Sequence, residues 1–298
     1  MGVLGQWITG IVLSLPLVGV YAIFAIGIVL MYRASKVLNL AHGVMATFPA
    51  YILYALSGWG IPLLIALPLA IAAGGGLGYL VQKLFVAPFR SMGETAQTVG
   101  TVVVLGLGIA IMATLWGAAP LLAVGVFPEV TFTVGQSGVR LGEIGLFATM
   151  LVIFFALQTL FSTTDFGLLM RGSAENPRAA SLMGVNPELM TALSWILGGS
   201  LAGLAGIMLA GVTTLHPYSL PLQALPGFLA ALLGGLGSIS GAVVGGAIVG
   251  FVLGLVPLVP GLVQLQGAPQ LMLAIIGMVV MARRGQTLVA TDVRGGIV

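Results

Sequence analysis

The chain has 298 residues, 59% of them hydrophobic and only 6% charged, with a formal net charge of +3. Soluble domains carry roughly 25% charged residues, and ten Lys/Arg with seven Asp/Glu cannot coat a water-facing surface of this size. A soluble enzyme, a DNA-binding protein and a disordered chain are thereby excluded, and lipid is the expected solvent.

A helix needs about 20 apolar residues to cross the hydrocarbon. Nine apolar runs are candidates: 8–31, 37–57, 61–82, 97–117, 143–162, 190–212, 222–240, 242–260 and 267–284. They do not alternate as barrel strands do. The expected fold is all-α, a polytopic integral membrane helical bundle of about 8–9 transmembrane segments. One or two of the helices are broken, and residues 1–298 form a single transmembrane domain. The first run follows no basic stretch and precedes no A-x-A site, so it is read as a retained span. Cys is absent, which removes disulfides, thiolate metal sites and Cys nucleophiles.

The second run carries Asn39, His42, Gly43 and Pro49 within apolar sequence. The stretch 222–245 carries Pro226 and then Gly234, Gly235, Gly237, Ser238 and Gly241. Pro removes a backbone donor, and Gly lets another backbone come close. A broken helix is tolerated in a membrane where protein or a watery cavity satisfies the freed groups. One such segment in each half of a transporter points to a substrate path; helix kinking and packing is the other reading. Gly237, Gly241 and Gly245 are spaced by four, as are Gly246, Gly250 and Gly254. Each set favours close helix packing.

Between the fifth and sixth runs lies a polar island at 162–193 with Asp165, Arg171, Glu175, Arg178 and Glu188. Within it, 175–184 reads as a short helix. Asn176 suits the cap, Pro177 the first helical position and Gly184 the end. Its small apolar face (Ala179, Ala180, Met183) fits a partner's groove; a solvated connection is the bland alternative.

Charge orients the bundle. With the N-terminus outside and nine crossings, Arg33, Lys36, Lys83, Arg90, Arg171, Arg178, Arg283, Arg284 and Arg294 face the cytoplasm, and Arg140 alone faces outward. That is a strong positive-inside bias, with the C-terminus cytoplasmic.

Three blocks carry a family resemblance. Gly167, Arg171, Ala174-Glu175-Asn176, Ala179-Ala180 and Leu182-Met183-Gly184-Val185-Asn186 resemble the cytoplasmic coupling loop of ABC importer permeases for branched-chain amino acids. Asn39-Leu40-Ala41-His42-Gly43 resembles a signature of the same family. Leu233-Gly234-Gly235-Leu236-Gly237-Ser238, Gly241-Ala242 and Gly245-Gly246 match a third block, in order. The resemblance covers roughly 8–285. It implies a transmembrane permease subunit that translocates branched-chain or related amino acids by alternating access. Implied partners are cytoplasmic ABC ATPase subunits, a second permease subunit and an extracytoplasmic solute-binding protein. The coupling loop, about 163–190, would sit in a cleft of the ATPase. Arg171, Glu175, Arg178, Ala179, Ala180 and Gly184 are its coupling positions. The substrate pathway takes Asn39, His42, Gly43, Pro226, Gly234, Gly235, Gly237 and Ser238. The implied location is a bacterial inner membrane, crossed many times.

The chain departs from the family pattern at Val44, where an acid is common, at Leu40, where an aromatic is common, and at Leu168, where a base is common. The first two put an ordinary branched-chain substrate in question; relatives carry urea, short amides and other carboxylates.

No P-loop motif occurs, so no cofactor is expected in this chain and ATP with Mg is assigned to the partner ATPase. Two histidines without an H-E-x-x-H pattern argue against a metal site or an enzyme, and Gly198-Gly199-Ser200 lacks a partner base. A secondary transporter is the alternative. The seven acids can all be placed in loops or at helix ends, against a carboxylate proton relay. His42 suits hydrogen-bonding glue or gating somewhat better than direct contact with a substrate carboxylate. Asn39 lies three residues before it, on the same face of a helix.

Overall fold

Where lipid replaces water, a spanning segment must pair its own peptide groups, and apolar runs become helices. The computed structural model describes residues 3–295 apart from 129, 135–136, 263 and 266. For 3–6, 8–9, 133–134, 137–139 and 283–295 the description is of backbone alone. Glu129 and the side chains of Arg283, Arg284, Asp292 and Arg294 therefore lie outside it.

Each of the nine apolar runs carries helix. They are α1 (Val3–Ser35), α2 (His42–Gly58), α3 (Leu63–Val81), α4 (Glu94–Trp116), α5 (Leu141–Thr163), α8 (Pro187–Val212), the pair α9 (Ser219–Leu222) and α10 (Ala224–Gly234), α11 (Ile239–Leu255) and α12 (Ala268–Gly295). Among the described residues, six helices are long and apolar enough to cross a membrane: Gly10–Ser35, Leu63–Met92, Glu94–Trp116, Leu141–Thr163, Pro187–Val212 and Ile239–Leu258. Ser219–Gly234 and Ala268–Ala282 are shorter apolar helices, and α2 has 17 residues. The protein is a predominantly helical polytopic membrane protein. Its one small sheet among the described residues is an antiparallel hairpin, β1 (Thr131–Val134) with β2 (Ser137–Arg140). The polar island becomes α6 (Asp165–Glu175) and α7 (Pro177–Leu182).

Burial ranks the helices. The apolar window of α1 is 72% buried and that of α8 67%, against 22% for α4 and α5. So α1 and α8 form the centre, and α4 and α5 offer apolar faces to lipid. Phe24, Ile23, Met31, Met45, Tyr51 and Trp195 fill the core.

Lipid gives helices no hydrophobic reason to associate, so packing and close backbone approach must hold them together. The second glycine set does this against α1: Gly246 faces Ala22, Gly250 faces Val18 and Gly254 faces Ser14, with no room for a Cβ. In the first set, Gly241 meets Gly234 and Gly245 meets Ala230, which packs α11 on α10. Gly237 touches nothing within 4 Å. The expectation of tight packing therefore holds for five of these six glycines.

Contacts also fix direction. Gly27 meets Gly198, while Arg33 shares a crevice with Ser194, so α1 and α8 run antiparallel. Beyond α8, Leu215 pairs with Leu121 through two backbone hydrogen bonds of 2.9 and 3.0 Å.

Candidate functional site

The chain breaks twice and the two breaks meet. After α1 ends, residues 36–41 run without helix back into the bundle. Their exposed peptide groups need partners. The N–H of Leu40 donates to Thr101 Oγ1 at 3.0 Å, and the N–H of Ala41 donates to Asn39 Oδ1 at 3.1 Å. The Asn39 amide donates to the sulfurs of Met31 and Met45 at 3.2 and 3.0 Å. Asn39 is thus a buried polar hub that shapes the break.

Helix α2 then starts at His42, deep in the protein. The His42 ring lies against Gly27, eight residues or about 12 Å of helix before the end of α1. Its centroid is 5.8 Å from Phe24 and 6.3 Å from Phe228, both edge-on. Neither ring nitrogen has a hydrogen-bond partner. The Phe24 carbonyl approaches without the geometry of a bond.

The second break comes from the other end of the bundle. After α8, residues 213–218 turn back, and His216 Nδ1 accepts from the N–H groups of Tyr218 and Ser219, each at 3.2 Å. Helix α9 carries buried Leu220 and Pro221 inward, where the Pro221 carbonyl covers Gly43. Helix α10 leaves this junction, with Gly227 against Phe24.

The pathway residues named from sequence divide accordingly. Asn39, His42 and Gly43 come together at the junction. Pro226 lies in the first turn of α10, beside a cavity of about 680 Å³ lined by Tyr21, Gln223, Leu229, Gln270 and others. Gly234, Gly235, Gly237 and Ser238 instead form the turn between α10 and α11. Gly235 has φ +84°, and Ser238 Oγ accepts from the N–H of Gly241 at 3.0 Å. Their local work is turning and capping.

The second candidate region is the polar hairpin α6–α7. It lies beside the C-terminal end of α1, where Arg33, Phe161, Met170, Arg171 and Ser194 line a small crevice. Arg33 lies within electrostatic reach of both Arg171 and Glu175. The carboxylate of Glu175 opposes the repulsion that Arg171 exerts on Arg33. Asn176 caps α7 by accepting from the N–H of Ala179 at 3.0 Å, Pro177 follows it, and Gly184 has φ +83°. The expected cap, first position and end all hold. Ala180 is buried, whereas Glu175, Arg178, Ala179 and Gly184 are exposed.

Sequence reasoning put Met183 on the apolar face of this helix but gave Leu182 beside it no role. Leu182 is 91% and Met183 84% exposed, a bare apolar tip on a capped helix. The cue was there: two large apolar residues just before a helix-ending Gly. Also missed were Phe24 and Phe228, which wall in His42, and Pro221, which covers Gly43. Nothing in their local sequence marks them, since only the fold brings them to α2.

A buried junction of two broken helices and one protruding helical hairpin thus define a polytopic helical membrane protein. A model of the family described as branched-chain amino acid transport system / permease component matches residues 10–283. The chain belongs to that family of ABC transporter permeases. It is 30% identical over 238 residues to the probable branched-chain amino acid transport permease protein LivH of Methanocaldococcus jannaschii, covering 76% of this chain and 74% of that one. It is 27% identical over 249 residues to the high-affinity permease protein BraD of Pseudomonas aeruginosa (77% and 80% covered). It is 26% identical over 252 residues to LivH of Escherichia coli K12 (77% and 79% covered). No solved structure matches the chain.

Proposed function

We propose that this chain is the transmembrane permease subunit of an ATP-driven importer for branched-chain or related amino acids. It works by alternating access, as a single domain over 1–298. Its partners are two cytoplasmic ABC ATPases, which hold ATP and Mg, a second permease subunit and an external solute-binding protein. The chain lies in a bacterial inner membrane with its N-terminus outside and its C-terminus in the cytoplasm. It crosses eight or nine times and catalyses no reaction itself.

The observation that carries this reading is the hairpin α6–α7. A rigid, capped helix ending in exposed Leu182 and Met183 suits insertion into a groove of another protein. Its base touches the end of α1, the most buried long helix, so a push on α7 reaches the bundle centre. Glu175, Arg178, Ala179 and Gly184 border the tip, while Arg171 and Ala180 seat it. The substrate path runs through the junction at Asn39, His42, Gly43 and Pro226. The turn at Gly234, Gly235, Gly237 and Ser238 is its far rim.

The test is gentle affinity purification from native membranes, with mass spectrometry of what accompanies the chain. A P-loop ATPase in the wild-type preparation, lost in a Leu182→Ser/Met183→Ser variant, is the expected result. If the chain purifies alone and moves solute in ATP-free vesicles under an ion gradient, it is a secondary transporter and this reading is wrong.

A further inference from the structure

The start of α2 concentrates polar groups without a hydrogen-bond partner among the described residues. The N–H of His42 reaches the carbonyl of Asn39 at 3.2 Å, and the N–H of Met45 that of Ala41 at 3.0 Å. Between them, the N–H groups of Gly43 and Val44 have no acceptor among the described residues. Ala41 offers no capping side chain, and Asn39 has turned its oxygen to Ala41 and its amide to the two sulfurs. Both nitrogens of His42 are also unpaired. All three residues are buried.

Buried polar groups are almost always paired, and clusters of exceptions mark a missing ligand or water. This cluster has a sign. Two free amides at a helix N-terminus point donors and the positive end of the helix dipole the same way. A neutral imidazole adds a third N–H donor. The surrounding residues, Phe24, Gly27, Gly198, Pro221 and Phe228, bring no acid. Among the described residues, no carboxylate is hydrogen-bonded to these donors.

We propose that the N-terminus of α2 is a carboxylate seat. The N–H groups of Gly43 and Val44 and the His42 imidazole hold the α-carboxylate of the passing amino acid, while Phe24 and Phe228 flank its aliphatic side chain. The proposal rests on the amino-acid permease reading and adds a subsite to it. The arrangement seen here is the closed one: the Pro221 carbonyl stands over Gly43 and Phe228 over His42. Segment α9 with the first turns of α10 is the shutter, and its withdrawal uncovers the seat.

The test uses the whole importer in lipid nanodiscs, with only this chain ¹⁵N-labelled at histidine. The chain has two histidines, so a His216→Asn variant assigns both signals. L-leucine and isovalerate carry a carboxylate; leucinamide does not. The first two are expected to move the His42 ring signals saturably, and leucinamide to leave them in place. Equal shifts from leucinamide, or no shift from any of the three, overturn the proposal. So does an equal shift from chloride alone, which would make this an unselective anion site. In ATP-driven uptake, His42→Leu is expected to lose at least tenfold in leucine transport with ATPase co-purification unchanged. His42→Gln, which keeps an N–H donor, should retain most of it. If His42→Leu fails to assemble, the titration of unmodified His42 decides alone. Normal ATP-driven uptake without any His42 response sinks the seat and leaves the permease standing. Absence of ATP-driven uptake in the wild type sinks the permease reading itself.

Discussion

Gly43 presses its bare Cα against the carbonyl of Pro221, so that a Cβ at Gly43 would collide with backbone rather than with a movable side chain. Gly43→Ala is therefore expected to force α9 away from α2, at about 1–3 kcal/mol for an overpacked site. Thermal unfolding in detergent reads this. Gly58→Ala, on the same helix with nothing within 4 Å, is the control and should not lower the midpoint.

The hairpin tip makes the sharpest separation between coupling and folding. Leu182→Ser/Met183→Ser removes two side chains that touch almost nothing in this chain, so the melting temperature should not fall. ATP-driven uptake should fall at least tenfold. Glu175→Lys is expected to uncouple as well, but it also replaces the carboxylate that favours the charge on Arg33 with a like charge. A drop in its melting temperature is therefore the expected difference between the two variants.

Asn176→Ala deletes the cap of α7. Losing such a cap costs about 0.5–2 kcal/mol of local helix stability, which is large for a helix of six residues. Slower uptake with an unchanged bundle midpoint is expected, and Asn176→Asp, which still accepts from the N–H of Ala179, should restore it.

The seam between α1 and α11 should tolerate no side chain at Gly250, which lies on the backbone of Val18. Gly250→Leu is expected to cost about 3 kcal/mol or to abolish folding, at the upper end of overpacking. Gly237→Leu, in open space, should be silent by the same assay.

Arg90 and Glu188 pair at 3.1 Å, yet their side chains remain 49% and 76% exposed. Exposed pairs are worth about 0–1 kcal/mol. Arg90→Gln is expected to leave the unfolding midpoint in detergent within error at 0.15 M salt.

Much of this architecture was legible in sequence because lipid imposes a simple rule. Long apolar runs gave α1, α3, α4, α5, α8 and α11 within a few residues. The cap at Asn176, Pro177 and the stop at Gly184 gave α7. The break before α2 was visible in the Asn39–His42–Gly43 cluster, but not its outcome. Only tertiary packing shows that the Asn39 amide is taken by sulfur and that His42 is walled by aromatic rings. The stretch around Pro226 read as one interrupted span, while the fold divides it into α9 and α10. The hairpin β1–β2 escaped notice, since its strands are four residues each and too short to show a period. Gly234 through Ser238 read as a pathway from the broken-helix pattern and the resemblance; their geometry is that of a tight turn.

The bridge between Leu121 and Leu215 gives one more consequence. It closes α5 through α8 into a circuit whose clasp is two hydrogen bonds wide. So small a clasp opens by local fluctuation rather than by global unfolding. Its two amides should exchange with deuterium together, and earlier than those of the helices on either side. The segment that this clasp holds is the one that leads to Pro221.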